Sequence, residues 1–264
     1  MDFGLENQRV LVTGASGGIG AAIVRVFARE GARVACHGFR NEAALAALVE
    51  GSPRMSAYRA DLRDERQVES LFDNIDNDLN GLDHLVVNAG VWVREEAPVR
   101  RMDLAQWVQT IDANLTSAFL CCRAFLRRVE RDQLEAPSIT LVGSTAALFG
   151  EAGHADYAAS KAGLVYGVLP SLKNEIIESA PRGRVNAVCP GWTATPMTAE
   201  NLADSTTRRR SLATMSLSKV ATPEDIATSV VFLSSARVAG HITGAILPVS
   251  GGMEGRLLHG ELHA

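Results

Sequence analysis

The stretch VLVTGASGGIGAAIVRVFARE, residues 10–30, sets an apolar run against four glycines in seven residues and then an amphipathic segment. Gly14, Gly17, Gly18 and Gly20 weaken helix and strand alike, so their concentration marks a turn where backbone lies close to something or bends where a side chain would clash. With VLVT as a strand and the following segment as a helix, the glycines form a strand-to-helix turn. Free N–H groups and the helix dipole at such a turn attract phosphate.

The same rhythm continues along the chain. Apolar runs at 9–13, 33–37, 55–59, 84–88, 138–143, 184–189 and 245–249 alternate with amphipathic segments such as ERQVESLFDNI (65–75) and PEDIATSVVFLSS (223–235). Strands alternating with helices predict a parallel sheet with helices on both faces. LVV and ITLV lack polar alternation, as strands buried on both sides require. The expected fold class is α/β: a doubly wound, Rossmann-type parallel sheet of about seven strands, with ligands at the carboxyl ends. At 264 residues the chain fits a single domain, 1–264. A segment at about 193–222, between the sixth strand and a helix, has the length and position of a lid over a substrate.

Composition narrows the function. A formal net charge of −4 speaks against a nucleic-acid binder. No apolar run reaches the ~18 residues of a membrane span, and the first residues, MDFGLENQRV, lack a basic leader and an apolar core, so a cytoplasmic location is expected. Cys36, Cys121, Cys122 and Cys189 form no CxxC pair and no metal-ligand spacing, and read as reduced, buried thiols with no metal site.

Tyr157 and Lys161 are four apart in a stretch of helical spacing, so both project from one helix face. An ammonium beside a phenol favours the phenolate and makes tyrosine usable for proton transfer. Ser144 follows the fifth predicted strand, where its hydroxyl can hold the oxygen that receives the proton.

TGxxxGxG at 13–20, Asp61 after the third strand, Asn88-Ala89-Gly90 after the fourth, Asn114, Ser144, Tyr157-x-x-x-Lys161 and Pro190-Gly191 occur in this order. Together they resemble the short-chain dehydrogenase/reductase family, from about Arg9 to Gly252. The resemblance implies hydride transfer between a nicotinamide cofactor and a carbonyl or alcohol, with Tyr157 as acid/base and Ser144 as donor to the substrate oxygen. Lys161 would lower the tyrosine pKa and bind the nicotinamide ribose, and Asn114 would hold a relay water. It also implies cofactor contacts: Gly14, Ser16, Gly18, Ile19 and Gly20 at the phosphates, Asp61 and Leu62 at the adenine, and Asn88, Ala89 and Gly90 on the adenosine side. Pro190, Gly191, Thr193 and Thr195 would meet the nicotinamide. Taken singly, the tyrosine, serine and asparagine each have an ordinary packing or turn-forming role.

At the ribose 2′ position the signals conflict. Gly38 stands where NAD-using relatives of the family carry aspartate, and Arg40 with Asn41 can meet a phosphate; yet Gly17 stands where many NADP-using relatives place a basic residue. The expectation is NADP, with Arg40 on the 2′-phosphate; the alternative is a solvated Arg40 that begins the next helix. Candidates for the substrate wall are Trp92, Val93, Arg94, Ala146, Leu148, Trp192 and Met197, with His154 read as an exposed loop residue or a second polar contact. The implied activity is that of an NAD(P)-dependent oxidoreductase on a small-molecule carbonyl or alcohol, with a 3-oxoacyl-thioester reductase foremost. A sugar, polyol or steroid dehydrogenase is the alternative within the family, and a non-catalytic cofactor-binding regulator the alternative outside it. Arg208, Arg209 and Arg210 read as a solvated helix face or as a dock for an acidic carrier. Family assembly implies a homotetramer or homodimer.

Overall fold

The structure, a computed structural model, describes residues 2–254; Met1 and residues 255–264 of the expected domain lie outside the described residues. Seven strands form one parallel sheet: β1 (Arg9–Val12), β2 (Arg33–Gly38), β3 (Met55–Arg59), β4 (His84–Val87), β5 (Ser138–Val142), β6 (Arg184–Pro190) and β7 (Ile246–Val249), in the order β3-β2-β1-β4-β5-β6-β7. Each expected run became a strand. The order reverses beside β1, which pairs Val10 with Val34 on one side and with His84 on the other. A crevice opens at the carboxyl ends of the strands at such a reversal.

The helices are α1 (Gly18–Arg29), α2 (Glu42–Val49), α3 (Glu65–Leu79), α4 (Leu104–Ile111), α5 (Ser117–Asp132), α6 (Thr145–Phe149), α7 (Ala155–Ala162), α8 (Leu169–Ser179), α9 (Ala199–Ala203), α10 (Ser205–Ala213) and α11 (Pro223–Ser234). Val10 and Val12 point to the face covered by α1 and α11, where they meet Ile23, Phe27, Ile226 and Val230. Leu11, between them, points to the face of α3, α5 and α8, with Phe72, Phe125 and Ile176. That period of two, with both faces covered, is why β4, β5 and β6 are buried throughout. All four cysteines are free and buried.

Two features that bear on the site were not expected. Residues Asp112–Thr116, between α4 and α5, and Gly163–Val168, between α7 and α8, are wide π-helical turns where plain helix was predicted. They lie against each other, so that a Cβ on Gly163 would come 2.9 Å from Leu115 Cδ2. Such turns are over-represented at functional sites, because they re-aim a side chain within a continuous helix.

The segment after β6 makes an excursion that carries α9 and α10. Its two ends meet where Ala194 N donates to Ala221 O at 2.9 Å and Ala221 N to Trp192 O at 3.0 Å. It is tied to the chain after β7 where Leu217 N donates to Gly251 O at 2.8 Å and Glu254 N to Thr214 O at 2.9 Å. No helix among the described residues is long and apolar enough to cross a membrane, and no group of three or more His, Cys, Asp or Glu among them could hold a metal ion.

Candidate active site

The glycine turn is built by its own backbone and by the strand beside it. Gly14 has φ +67°, and a Cβ on it would come 2.8 Å from Ala89 Cα; a Cβ on Gly20 would come 2.1 Å from Gly14 O. A Cβ on Gly18 would meet Thr195 at 2.9 Å, so the start of the excursion after β6 rests on the turn. Gly17 caps α1 without a side chain, and the first turn of α1 carries no carboxylate, which leaves this helix start fit for an anion.

Three side chains hold the turn in place. Thr13 Oγ1 accepts from the N–H groups of Asn88 (2.9 Å) and Ala89 (3.0 Å), and Asn88 Nδ2 donates to Thr13 O at 2.9 Å and Gly14 O at 3.1 Å. His37 is buried between Gly14 N–H and the Ala60 carbonyl, with Nδ1 3.3 Å from the former and Nε2 3.0 Å from the latter. An Nδ1 acceptor and Nε2–H donor satisfy both partners, and burial holds the ring below its usual pKa, hence neutral. The sequence reading did not single out Thr13 or His37 for this role; a histidine within an otherwise apolar strand was the available signal.

Beside the turn lies a cavity of about 190 Å³ bounded by Ser16, expected at the phosphates, Gly38 and Arg40, expected at the ribose 2′ position, and Asp61, Leu62, Ala89 and Gly90, expected at the adenine and on the adenosine side. His37, Phe39 and Arg63 also line it. The Asp61 carboxylate is taken up by Arg63, with Nη2 to Oδ2 at 2.6 Å and Nε to Oδ1 at 2.9 Å, and that pairing holds Asp61 below the usual carboxylate range. Arg40 is exposed at the rim. Asn88 and Ile19 are not in the lining: the first clamps the turn and the second packs on the core around α1. Thr193 is buried and donates to Gly191 O at 2.9 Å.

Ser144, Tyr157 and Lys161 come together at the carboxyl ends of β5 and β6. Ser144 caps α6, accepting from Ala146 N at 3.1 Å. Tyr157 and Lys161 share one face of α7, and Lys161 Nζ donates to Val142 O at 2.9 Å while standing 5.8 Å from the centre of the Tyr157 ring. Burial pushes the phenol up to about 12, against the pull of the Ser144 hydroxyl, and pushes Lys161 down to about 8. Loss of solvent draws each group toward its neutral form, which is the direction of both shifts.

Asn114 lies in the first π-helical turn: Oδ1 accepts from Val91 N at 2.7 Å, and Nδ2 donates both of its hydrogens, to Val91 O at 2.9 Å and Ser160 Oγ at 3.0 Å. Ser160 in turn donates to Tyr157 O at 2.7 Å. A Cβ on Gly90 would stand 3.1 Å from Asn114 Oδ1 and 3.4 Å from Lys161 Nζ, so the glycine lets these residues close up against the β4 loop.

A second cavity, of about 210 Å³, opens over Ser144 and Tyr157, with walls from Trp92, Ala146, Phe149, Pro190, Gly191, Trp192 and Met197. Of the expected wall, Val93, Arg94, Leu148 and His154 are not in the lining. Leu148 packs on the core of the α3 and α5 face and does not line the cavity. His154 is not an exposed loop residue: it is 4% exposed and stacks on Trp92 with ring centres 4.8 Å apart. Glu151, which the sequence reading passed over, lines the cavity, and its Oε1 accepts from Trp92 Nε1 at 3.2 Å. Arg94 pairs with Glu200, which joins the loop after β4 to α9.

A family model described as Enoyl-(Acyl carrier protein) reductase matches residues 14–254. The chain belongs to the short-chain dehydrogenase/reductase family. It is 35% identical to 3beta-hydroxysteroid dehydrogenase 1 of Eggerthella lenta, over 94% of each chain. It is 32% identical to the 3-oxoacyl-acyl-carrier-protein reductase FabG of Chlamydia pneumoniae, over 96% of this chain and 99% of that one. Among solved structures it superposes with a TM-score of 0.84 and 33% identity on a short-chain dehydrogenase/reductase, glucose/ribitol dehydrogenase, from Brucella melitensis, over 96% and 98% of the two chains. This short-chain dehydrogenase/reductase is thus an oxidoreductase that uses a nicotinamide dinucleotide, NAD(P), to interconvert a carbonyl and an alcohol on a small molecule.

Proposed function

We propose that Tyr157 is the acid/base of this reaction, Ser144 the donor that holds the substrate oxygen, Lys161 the cation behind the phenol, and Asn114 the residue that fixes the loop around Val91 against α7. The observation that carries this is the convergence of Ser144, Tyr157 and Lys161 in one dry corner under a cavity with apolar walls. The glycine turn, the bare start of α1 and the neighbouring adenosine-sized cavity fit a dinucleotide. When bound, that cofactor supplies or accepts the hydride at the substrate carbon. In reduction the Tyr157 phenol gives its proton to the carbonyl oxygen; in oxidation the phenolate takes the proton of the alcohol. Ser144 shares the charge that develops on that oxygen. The ammonium of Lys161, on the same face of α7 as the phenol, stabilises the phenolate. Lys161 would also bind the nicotinamide ribose, and the flap, 193–222, would close over the substrate.

The cofactor we favour is NADP. Gly38 offers no carboxylate to a free 2′-hydroxyl, and Arg40 and Arg63 bound the same cavity. Fluorescence titration with NADPH and NADH tests this: tighter NADPH binding, lost on Arg40→Ala, is expected, and equal affinities would overturn it. A Tyr157→Phe variant that still turned over substrate at the wild-type rate would remove the mechanism.

Two substrate readings follow. A 3-oxoacyl thioester is supported by the FabG likeness and by Arg208–Arg210, exposed on α10 of the flap. A compact cyclic secondary alcohol is supported by the steroid dehydrogenase likeness and by Trp92, Phe149 and Trp192 around the cavity. Side-by-side turnover of a carrier-bound 3-oxoacyl thioester and of cyclohexanol separates them. Leu104, Val108, Phe119 and Tyr166 expose large apolar groups on α4, α5 and the second π-helical turn, a surface suited to a homodimer or homotetramer in the cytoplasm. Sedimentation at micromolar concentration tests the assembly.

A further inference from the structure

Among the residues that line the substrate cavity, Glu151 is the one charged side chain, beside the hydroxyls of Ser144, Thr145, Tyr157 and Thr198 and the apolar walls of Trp92, Phe149 and Trp192. Glu151 lies in the loop between α6 and α7, six residues before Tyr157, and lines the same cavity as Tyr157 and Ser144. Its Oε1 takes the Trp92 indole N–H, and among the described residues no other hydrogen bond reaches its carboxylate. His154 Nε2 stands 4.0 Å from the same oxygen, beyond hydrogen-bond reach, and His154 Nδ1 is buried without a partner. The loop is held by the stacking of His154 on Trp92 and by Ala97 N–H donating to Gly153 O at 2.9 Å. A half-buried acid is therefore presented to the cavity by a fixed frame.

Its chemistry is at odds with a purely structural role. Burial raises the Glu151 carboxyl above its usual range, and the charge of Glu151 in turn raises the Tyr157 phenol. A structural acceptor for one indole N–H would be met by a neutral glutamine, which would not oppose ionisation of the phenol. A carboxylate that is desolvated in an apolar cavity and keeps an acceptor oxygen free is suited to a donor brought by the ligand.

We propose that Glu151 is a specificity-determining residue that accepts a hydrogen bond from a second, uncharged hydroxyl of the substrate, and so selects alcohols with two hydroxyls over mono-hydroxy and carboxylated counterparts. The proposal rests on the carbonyl/alcohol reading of the site. A hydroxyl suits this acid because it can donate to the carboxylate or accept from the protonated form, whereas an ammonium requires a permanent counter-charge. The acyl chain and thioester carbonyl of a 3-oxoacyl thioester offer no donor here. A carboxylate on the substrate would face Glu151 as a like charge. His154 acts as a positioning residue through Trp92.

The test compares kcat/KM for cyclohexane-1,3-diol and -1,4-diol, cyclohexanol and 4-hydroxycyclohexanecarboxylate in wild type, Glu151→Gln and Glu151→Leu, with NAD and NADP each supplied. One hydrogen bond to a charged acceptor predicts a preference of about tenfold to a hundredfold for at least one diol over cyclohexanol in wild type. The preference is expressed in KM. It shrinks several-fold in Glu151→Gln and to about one in Glu151→Leu, while the carboxylated alcohol gains relative to cyclohexanol in both. A variant that slows all alcohols by one common factor, leaving the ratios unchanged, assigns Glu151 to structure and overturns the proposal. So does a wild type with no preference. Quenching of tryptophan fluorescence by each alcohol repeats the comparison without turnover. Selective binding of a diol with no turnover overturns the carbonyl/alcohol reading alone, and equal binding of diol and cyclohexanol overturns the role of Glu151.

Discussion

The ammonium of Lys161 is held at 2.9 Å by the carbonyl of Val142, the last residue of β5, while it stands 5.8 Å from the centre of the Tyr157 ring. The strand end thus fixes the cation behind the phenol, and the corner that holds them is dry enough to push one down to about 8 and the other up to about 12. Such a site stores unfavourable desolvation that its reactants relieve.

Lys161 should therefore weigh on folding stability. Its folded pKa, about 8, lies below the ordinary 10.5, so between those values the unfolded chain binds more protons and stability rises with pH. Below pH 8 the penalty is fully present, on the order of 3 kcal/mol. Lys161→Met removes it but leaves the Val142 carbonyl without its partner, which costs about 1–3 kcal/mol. Urea denaturation at pH 7 is expected to find the variant no less stable than wild type though inactive, and its relative stability should fall by about 2 kcal/mol between pH 7 and pH 10. A difference that does not change with pH would contradict the buried-cation account.

Thr13 offers a test of the frame under the glycine turn. One hydroxyl oxygen accepts from two main-chain N–H groups, Asn88 and Ala89, at a fully buried position. Thr13→Val keeps the shape and strands both donors, so a loss of about 2–4 kcal/mol is expected by thermal or urea denaturation. Thr13→Ser should retain most of the stability. A loss in Thr13→Ser with none in Thr13→Val would point to the methyl group and its packing instead.

The sheet and the central residues were legible because their signals are local or periodic. Each apolar run became a strand, and the four-residue spacing of Tyr157 and Lys161 placed both on α7. What escaped depends on neighbours distant in sequence. His154 follows a loop glycine and reads as exposed; it is buried because Trp92, 62 positions earlier, supplies a ring to stack on. Leu148 lies two residues from Ala146 on a short helix and so faces the core while Ala146 faces the cavity. Asp61 was matched to its position after β3, but its charge is taken by Arg63, a pairing that no motif encodes. The wide turns around Asn114 and after Lys161 bring Leu115 against Gly163, a contact to which helical periodicity is blind.

Cofactor preference can be probed from the side of Gly38. A Cβ there would stand 3.2 Å from both Leu45 Cδ2 and Ser16 Oγ, so Gly38→Asp is crowded but needs only small shifts of side chains. An aspartate at this strand end accepts from a free 2′-hydroxyl and repels a 2′-phosphate. Gly38→Asp is expected to raise the NADPH Kd by at least about tenfold while the NADH Kd holds or falls, and adding Leu45→Ala should relieve the crowding. If both Kd values rose together in the double variant, the aspartate would be obstructing the adenosine cavity instead of reading its 2′ substituent.

Glu151 also bears on the pH dependence of the reaction. Burial is the largest cause of the raised Tyr157 phenol, and the negative charge of Glu151 adds to it. Oxidation of an alcohol needs the phenolate, so its rate rises with pH through the tyrosine's titration in the bound complex. Removing a negative charge from the cavity makes ionisation easier and lowers that pKa. In Glu151→Gln the rise of kcat with pH, measured with saturating cyclohexanol so that no second hydroxyl is involved, should move to lower pH. The reductive direction, which needs the protonated phenol, should lose activity at correspondingly lower pH. A profile that stays in place would mean that the Glu151 carboxyl is protonated in the complex. A protonated carboxyl is not the charged acceptor proposed for the second hydroxyl, so that outcome would overturn the acceptor role of Glu151.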